Sequence, residues 1–213
     1  MNIQNLPCTV CAHTRDQKVW ELQLEPEGKT NILNNIYVGQ IENIASNIQA
    51  AFIRLGKDLN GYLPLGQAEQ AIHTSGQKAA ALRPGDEILV QVSRESMKGK
   101  LPALTTNLNF SGKYLVLTTG NRKIGFSNKL SKEERRILNQ WLEEERLDPA
   151  REYGIIVRTN SREASKEDFF RELTWLKSRY EKVAVHGRNR TCFSLLYEAE
   201  PFYLAAIRNT YTS

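Results

Sequence analysis

The feature that most limits the possible folds of this chain is a run of short apolar segments between residues 35 and 108. Five of these segments have the length and composition of β-strands, and they span residues 35–44, 50–55, 61–65, 86–93 and 101–108. Gly-rich turns such as Gly56-Lys-Asp-Leu-Asn-Gly61 separate them. Short strands joined in this way are typical of a small closed barrel rather than of a parallel sheet. The sequence therefore predicts a five-stranded β-barrel, with a short helix in the polar interval of residues 66–84.

The second half of the chain changes to an alternation of strands and helices. Strands are predicted at residues 114–118 and 154–158. Ser131-Lys-Glu-Glu134 has the pattern of a capping box, which marks the start of a helix, and Ser165 precedes a second helix with an apolar stripe. The chain is therefore predicted to be of the mixed α+β class, an OB-type β-barrel followed by an α/β subdomain.

The two ends of the chain belong to neither pattern. Residues 8–12 and 18–24 predict a strand hairpin, and residues 194–198 predict a strand. The first turns of a helix follow, with Pro201 at a favoured N-terminal position. We expect these ends either to pair with each other or to belong to a longer protein.

The charge of the chain is distributed unevenly. Residues 1–107 carry ten basic and ten acidic side chains, whereas residues 108–213 carry nineteen basic and fourteen acidic ones. The net charge of +5 therefore lies in the second half. This asymmetry favours a polyanionic partner, although a solvated basic surface explains it equally well. The mean hydropathy is −0.49, and the N-terminus lacks the pattern of a signal peptide. We therefore expect a soluble protein of the cytoplasm.

Two of the three cysteines, Cys8 and Cys11, form a C-x-x-C pattern that is typical of a redox pair or of half a zinc site. A redox motif normally lies between a strand and a helix, but this one lies in the predicted hairpin. Only Cys192 and three scattered histidines could complete a zinc site. Two ordinary strand cysteines are the favoured interpretation, and a redox or zinc protein is the alternative.

No pattern of catalytic residues stands out. The five aspartates are never spaced as D-x-D, and the acidic runs lie on predicted helices beside Lys or Arg, which is typical of a solvated helix face. The sequence contains no Walker loop, dinucleotide-binding Gly motif or nucleophile elbow. Binding is therefore better supported than catalysis.

Nucleic acid is the ligand that the barrel residues favour. On five-stranded barrels of this type, strands two and three carry aromatic rings that stack on bases and basic groups that contact phosphate. The second and third predicted strands carry Phe52 and Tyr62, and the first carries Tyr37. Three basic residues, Arg94, Lys98 and Lys100, follow the fourth. The pattern predicts weak, sequence-tolerant binding of single strands; the alternative is that the rings point into the barrel core.

Several blocks, taken in order, resemble the N-terminal half of the ribonuclease E/ribonuclease G family. They are Asn35-Ile-Tyr-Val-Gly-Gln-Ile, Ala50-Ala-Phe-Ile, Gly61-Tyr-Leu-Pro-Leu65, Gly85-Asp-Glu-Ile-Leu-Val-Gln91, Leu104-Thr-Thr106, Tyr114-Leu-Val-Leu117, Ile156-Val-Arg-Thr159 and Leu195-Leu-Tyr-Glu198. Each block alone is weak, but together they cover nearly all of residues 17–209.

The resemblance implies an interrupted subdomain and two inserted ones. Residues 1–31 and 194–213 would be the start and the return of an RNase H-like subdomain. Residues 32–107 would be a ribosomal-S-one-type barrel that binds RNA. Residues 108–193 would be a sensor for an RNA 5′ end that bears a monophosphate.

The resemblance also implies roles for individual residues. In the barrel, Phe52, Tyr62 and Lys100 would contact single-stranded RNA. In the sensor, four positions match those that contact the phosphate and the terminal base, namely Gly112, Val116, Arg158 and Thr159. Lys129 would be a further basic contact. The chemistry is reasonable, because a guanidinium binds phosphate through a forked, charge-assisted contact and a threonine hydroxyl adds a donor.

The chain also departs from the family pattern. Asn160-Ser-Arg-Glu replaces Ala and a Gly-containing loop, and Ser127-Asn-Lys replaces a more arginine-rich stretch. The family's metal-binding aspartates and its zinc-linking C-P-x-C motif lie downstream of residue 213. Magnesium, the interfacial zinc and homo-oligomer formation are therefore implied only for a longer parent protein.

The first hypothesis is that this chain is the RNA-binding and 5′-sensing part of a bacterial G-type endoribonuclease. It would bind single-stranded RNA, preferably with a 5′ monophosphate, without cleaving it. The alternative is a stand-alone RNA-binding adaptor without a nuclease.

Overall fold

The computed structural model describes residues 7–15, 17–26, 31–75, 81–96, 99–201 and 203–206. The chain divides into two compact units. The smaller unit contains the described parts of Met1–Ile32 and Ala199–Ser213, and the larger unit is Leu33–Glu198.

The smaller unit contains the hairpin that the sequence predicts. Strand β1, Cys8–Arg15, pairs antiparallel with β2, Lys18–Pro26, and the register is irregular between His13 and Thr14. Residues 203–206 form a helical turn after Pro201, whose carbonyl oxygen accepts from the amide of Leu204 at 3.0 Å. Both predicted elements are therefore present.

The first part of the larger unit is a closed five-stranded barrel, as predicted. Its strands are β3, Ile36–Ala45; β4, Ala50–Arg54; β5, Asn60–Pro64; β6, Glu87–Arg94; and β7, Ala103–Thr105. They lie in the order β3-β4-β5-β7-β6, and β6 closes the barrel by pairing with β3. Inside, there is no room for a side chain at Gly39, because a Cβ atom there would lie 2.5 Å from the Cγ2 atom of Ile53.

The segment between β5 and β6 differs from the prediction of a short helix. In its described parts, residues 65–75 and 81–86, the helical structure is one 3₁₀ turn, Leu65–Gln67. The carbonyl of Ile72 accepts from the amide of Leu89 at 2.9 Å, and the amide of Thr74 donates to the carbonyl of Glu87 at 3.1 Å. Residues 72–74 are therefore extended, because their backbone bonds to β6.

The second part of the larger unit is an α/β subdomain. Its elements are β8, Asn109–Ser111; β9, Leu115–Thr118; β10, Ile124–Phe126; α1, Lys132–Glu144; β11, Gly154–Val157; and α2, Lys166–Tyr180. The sheet order is β10-β11-β9-β8, in which only β10 and β11 run parallel. The predicted capping box at Ser131 and Glu134 is present, and Ser165 caps α2. The mixed α+β class is confirmed.

The predicted strand at residues 194–198 also forms. Strand β12, Leu195–Tyr197, pairs antiparallel with β3 of the barrel, and Leu195 lies opposite Tyr37. The amide of Phe193 continues this contact, since it donates to the carbonyl of Val38 at 2.8 Å. Residues 194–198, which we assigned to the return of the first subdomain, thus lie in the larger unit and extend the barrel sheet.

The barrel and the α/β subdomain share one hydrophobic core, in which Ile36 and Val38 of the barrel pack with Phe110 and Phe169 of the subdomain. A buried side chain adds a polar link at the same junction. Gln91 of β6 donates to the carbonyls of Asn34 at 2.9 Å and Asn109 at 3.0 Å, and its carbonyl accepts from the amide of Asn109 at 2.8 Å. Buried polar groups are stabilising only when they are paired. These bonds therefore join β6 to Asn109, the first residue of β8. Among the described helices, none has the length and the apolar character that crossing a membrane requires.

Candidate nucleic-acid interface

The barrel carries Phe52 and Tyr62 on its outer surface. The two residues lie directly opposite each other on β4 and β5, and both are half-buried. Their strand neighbours Ile53 and Leu63 are fully buried. Since side chains alternate between the two faces of a strand, the rings lie outside the barrel core and are partly exposed.

A basic residue lies in the same row of paired strands. Tyr62 pairs with Ala103 of β7, which in turn pairs with Arg94 at the end of β6. Adjacent strands are about 4.8 Å apart, so the row from Phe52 to Arg94 spans about 14 Å across four strands. Both Arg94 and Lys100 are exposed. The structure thus brings two rings and a basic group to one side of the barrel, while Lys98 lies outside the described residues.

Tyr37, the aromatic residue of the first barrel strand, does not join this surface. It is 9% exposed, and its hydroxyl accepts from the Nδ2 atom of Asn35 at 3.3 Å. Its strand is covered on one side by β12 and on the other by β6. Tyr37 is therefore part of the packed interior.

An aromatic–basic pair that sequence reasoning missed lies near Phe52. Arg54 is two residues further along β4, on the same face as Phe52, and its guanidinium lies 4.9 Å from the centre of the Phe193 ring. The Phe193 ring is 38% exposed. Nothing in the sequence indicates this pair, because it exists only through the pairing of β12 with β3.

The second group of candidate residues surrounds Arg158, which directly follows β11. Its backbone amide donates to the carbonyl of Tyr114 at 2.7 Å. Its guanidinium donates through Nη1 to the carbonyl of Gly112. Both acceptors belong to the turn of residues 112–115 between β8 and β9, so this turn orients the Arg158 side chain.

Thr159 and Lys129 both bond to the hydroxyl of Ser127. The hydroxyls of Thr159 and Ser127 share a hydrogen bond of 2.8 Å. The amide of Lys129 donates to the same Ser127 hydroxyl at 3.3 Å, and the Lys129 side chain is exposed. The Ser127 hydroxyl therefore links the loop that carries Lys129 to Thr159.

An apolar patch adjoins the guanidinium. Val116 of β9 pairs with Ile156 of β11. Both are at least partly exposed, Ile156 by 42%, and they alternate with the buried residues Leu115, Leu117, Ile155 and Val157. Arg158 is two residues beyond Ile156, on the same face of the strand. Sequence reasoning missed Ile156, although the alternation of buried and exposed positions along β11 identifies it once the strand is known.

The segment that departs from the family pattern after Thr159 forms the 3₁₀ turn Thr159–Glu163. The hydroxyl of buried Ser161 donates to the carbonyl of Tyr114 at 2.8 Å. Arg162 donates through Nη2 to the carbonyl of Lys129 at 2.9 Å. These bonds attach the turn to both loops that surround Arg158.

A carboxylate partly neutralises the basic charge at this turn. The backbone amide of Ser131 holds the pKa of Glu134 below its ordinary value of 4.5, and the nearby charge of Arg162 contributes in the same direction. Glu134 is therefore ionised at neutral pH, 3.8 Å from the Arg162 guanidinium. This pairing makes Arg162 less suited to bind a ligand phosphate.

Comparison with known proteins gives the context for these residues. Residues 109–213 match the model of the ribonuclease E/G family. Ribonuclease E of Buchnera aphidicola subsp. Acyrthosiphon pisum is 29% identical over 201 residues, which make up 91% of this chain and 22% of that protein. Ribonuclease E of Escherichia coli K12 is also 29% identical over 201 residues, covering 91% of this chain and 19% of that protein.

The chain belongs to the ribonuclease E/G family. Ribonuclease G of Salmonella typhimurium is 27% identical over 173 residues, 76% of this chain and 35% of that protein. The chain thus spans between 19% and 35% of the length of these relatives. The matches of the two ribonucleases E cover most of the chain, whereas the family model covers the α/β subdomain and the C-terminal segment.

The described residues contain no group of side chains that could bind the metal ions implied by the family resemblance. Within those ranges, His, Cys, Asp and Glu side chains do not gather in threes. Cys8 and Cys11 are both in β1, three positions apart, so their side chains leave the strand on opposite faces. We therefore derive no chemical step through magnesium or zinc.

Proposed function

We propose that this chain binds single-stranded RNA along the outer surface of the barrel and reads a 5′ monophosphate with Arg158. The observation that carries the proposal is the guanidinium of Arg158, which donates to the carbonyl of Gly112 and is thereby oriented by the fold. A guanidinium that is already oriented binds phosphate at a lower entropic cost than a freely rotating one.

The apolar patch beside Arg158 supports a role at an RNA end. The side chains of Val116 and Ile156 can contact the face of a base, while Arg158 and Thr159 bind the phosphate attached to the same nucleotide. A 5′ end that bears a hydroxyl offers only the base contact. The site is therefore expected to discriminate between the two kinds of end.

The barrel surface supports binding that does not depend on the end. Stacking of one base on an aromatic ring contributes about 1–3 kcal/mol and tolerates any sequence. Phe52 and Tyr62 supply two rings, and Arg94 and Lys100 supply charge for phosphates. We expect this binding to weaken as the salt concentration rises, because counterions compete with the basic groups.

Short single-stranded RNAs that differ only in their 5′ end test the proposal. Fluorescence anisotropy with 5′-monophosphate and 5′-hydroxyl forms should show tighter binding of the monophosphate form. Arg158→Ala should remove the difference and leave the affinity for the hydroxyl form unchanged. Arg171→Ala is the matched control, since Arg171 is a strongly exposed arginine that pairs with Asp168 on α2. Equal affinity of the unmodified chain for both RNAs would refute the sensing role.

The same RNAs also test for cleavage. We expect them to remain intact when Mg²⁺ is added, because the described residues contain no group of three carboxylate, His or Cys side chains that could hold the ion. Shortened products in a denaturing gel would contradict this expectation and would indicate a ligand set that includes residues outside the described ranges.

A further inference from the structure

A carboxylate of helix α2 is bound to the turn that holds Arg158. Glu172 accepts hydrogen bonds from three consecutive backbone amides, those of Lys113 at 2.7 Å, Tyr114 at 2.7 Å and Leu115 at 2.8 Å. Consecutive amides that point to one side form a concave site for an anion, and bonds to an ionised carboxylate are the stronger kind. The side chain of Glu172 therefore occupies an anion site made by the backbone.

The carbonyl groups of the same turn face the sensor residues. The carbonyl of Gly112 accepts from the Arg158 guanidinium. The carbonyl of Tyr114 accepts from the amide of Arg158 at 2.7 Å and from the hydroxyl of Ser161 at 2.8 Å. The turn thus contacts Glu172 through its amides and Arg158 through its carbonyls, so a change on one side is transmitted to the other.

Both ends of this link are held in place. On α2, the neighbours Phe169, Leu173 and Leu176 are buried in the core that the subdomain shares with the barrel, so the helix is anchored there. At the turn, the approach of Glu172 leaves no space for a side chain at position 112, since a Cβ atom there would lie 2.3 Å from the carboxyl carbon of Glu172. The close contact explains why the turn contains Gly112.

We propose that Glu172 is a positioning residue for 5′-phosphate recognition: it holds the turn of residues 112–115 so that the carbonyl of Gly112 orients the Arg158 guanidinium. This inference rests on the function proposed above. Glu172 does not contact the RNA in this proposal; it acts through the turn.

The first test is the near-isosteric variant Glu172→Gln. Its amide oxygen can still accept from Tyr114 and Leu115, but its NH₂ group faces the amide of Lys113, and a donor opposite a donor loosens the turn. We expect the preference for 5′-monophosphate RNA over 5′-hydroxyl RNA to fall by about tenfold, the effect of losing one charge-assisted hydrogen bond. Affinity for the hydroxyl form should not change. Glu167→Gln, an exposed position in the first turn of α2, removes the same charge from the same helix and should keep the full preference.

A double variant shows whether Glu172 acts through Arg158. When Arg158→Ala is already present, Glu172→Gln should not weaken the binding of either RNA any further, because there is no guanidinium left to orient. Amide hydrogen exchange at residues 113–115 should become faster in Glu172→Gln, while the exchange of residues 116–118 of β9 and of β11 stays slow. If Glu172→Gln does not fold, Glu172→Asp carries the test, since it keeps the charge but is one methylene too short to reach all three amides.

The outcomes separate this inference from the proposed function. No preference in the unmodified chain would overturn the proposed function and this inference with it. A preference that Arg158→Ala abolishes, but that survives in Glu172→Gln together with faster exchange at residues 113–115, would overturn the positioning role alone. A further loss of affinity for either RNA in the double variant would also overturn it, because Glu172 would then act on the RNA by a route other than Arg158.

Discussion

The guanidinium of Arg158 donates a hydrogen bond to the backbone carbonyl of Gly112, 46 residues earlier in the chain. The contact joins the end of β11 to the turn between β8 and β9. The direction of the Arg158 side chain therefore depends on the folded subdomain, which brings the Gly112 carbonyl close to it. Two residues that are remote in sequence thereby define one candidate phosphate site.

The geometry of this contact makes a lysine an inadequate replacement. In Arg158→Lys, a single ammonium group has to serve both the Gly112 carbonyl and the phosphate, whereas a guanidinium presents several donors in one plane. We expect the lysine variant to lose most of its preference for 5′-monophosphate RNA while its affinity for 5′-hydroxyl RNA stays the same. Competition binding with the two RNAs measures this, with Arg171→Lys as the control. A lysine variant with full preference would show that positive charge alone is sufficient.

The paired rings of the barrel should contribute to affinity without regard to the RNA end. Phe52→Ala and Tyr62→Ala are each expected to weaken binding of both RNAs by about 5- to 150-fold, the equivalent of about 1–3 kcal/mol per stacked base. Ile48→Ala removes an apolar side chain of the barrel that is 59% exposed and lies outside the row, and should leave affinity unchanged. Unchanged affinity in both ring variants would exclude this surface as the binding site.

The buried amide of Gln91 should stabilise the junction between the barrel and the α/β subdomain. Gln91→Leu leaves the amide of Asn109 and two carbonyls without their partner, and each unsatisfied buried group costs about 1–3 kcal/mol. Urea titration should therefore show a free energy of unfolding that is lower by at least about 1–3 kcal/mol. Gln70→Leu is the control, because Gln70 is exposed and bonds to Gly120 at the surface. Equal losses in the two variants would contradict the role of Gln91.

Two packed tyrosines should make the fold sensitive to alkaline pH. The ring centres of Tyr153 and Tyr180 lie 5.0 Å apart. Burial is the largest cause that raises the pKa of both phenols above the ordinary value of 10.0. In the unfolded chain the phenols lose their protons first, so stability from the buried neutral form is fully present below about pH 10 and is lost as pH rises through the raised pKa.

Tyr180→Phe tests this dependence by removing one of the two titrations. The free energy of unfolding of the variant should decrease less steeply than that of the unmodified chain as pH rises above about pH 9. The comparison at pH 7, where both phenols are neutral, separates this effect from the loss of the hydroxyl itself. Parallel pH profiles of the two proteins would show that Tyr180 does not titrate on unfolding.

Local patterns in the sequence were sufficient to predict those elements whose structure depends on residues close together in the chain. The barrel strands follow from short apolar segments between turns, and the start of α1 follows from a capping box in which Ser131 and Glu134 bond to each other's backbone. The outer position of Phe52 follows from alternation once β4 is assigned. In the described parts of residues 66–84, where a short helix was predicted, the structure has the end of the 3₁₀ turn Leu65–Gln67 and an extended stretch in which Ile72 and Thr74 bond to β6.

The sequence by itself determined the α+β class, the closed barrel, the hairpin and both helices, since periodicity and capping act over a few residues. Its resemblance to a family also named Arg158 and Phe52. Only the tertiary structure decided that β12 pairs with β3, that Tyr37 is buried, that Phe193 covers Arg54, and that Glu172 holds the turn that orients Arg158. Each of these contacts joins groups that are distant along the chain, and their partners are chosen by packing in the shared core, which no local pattern records.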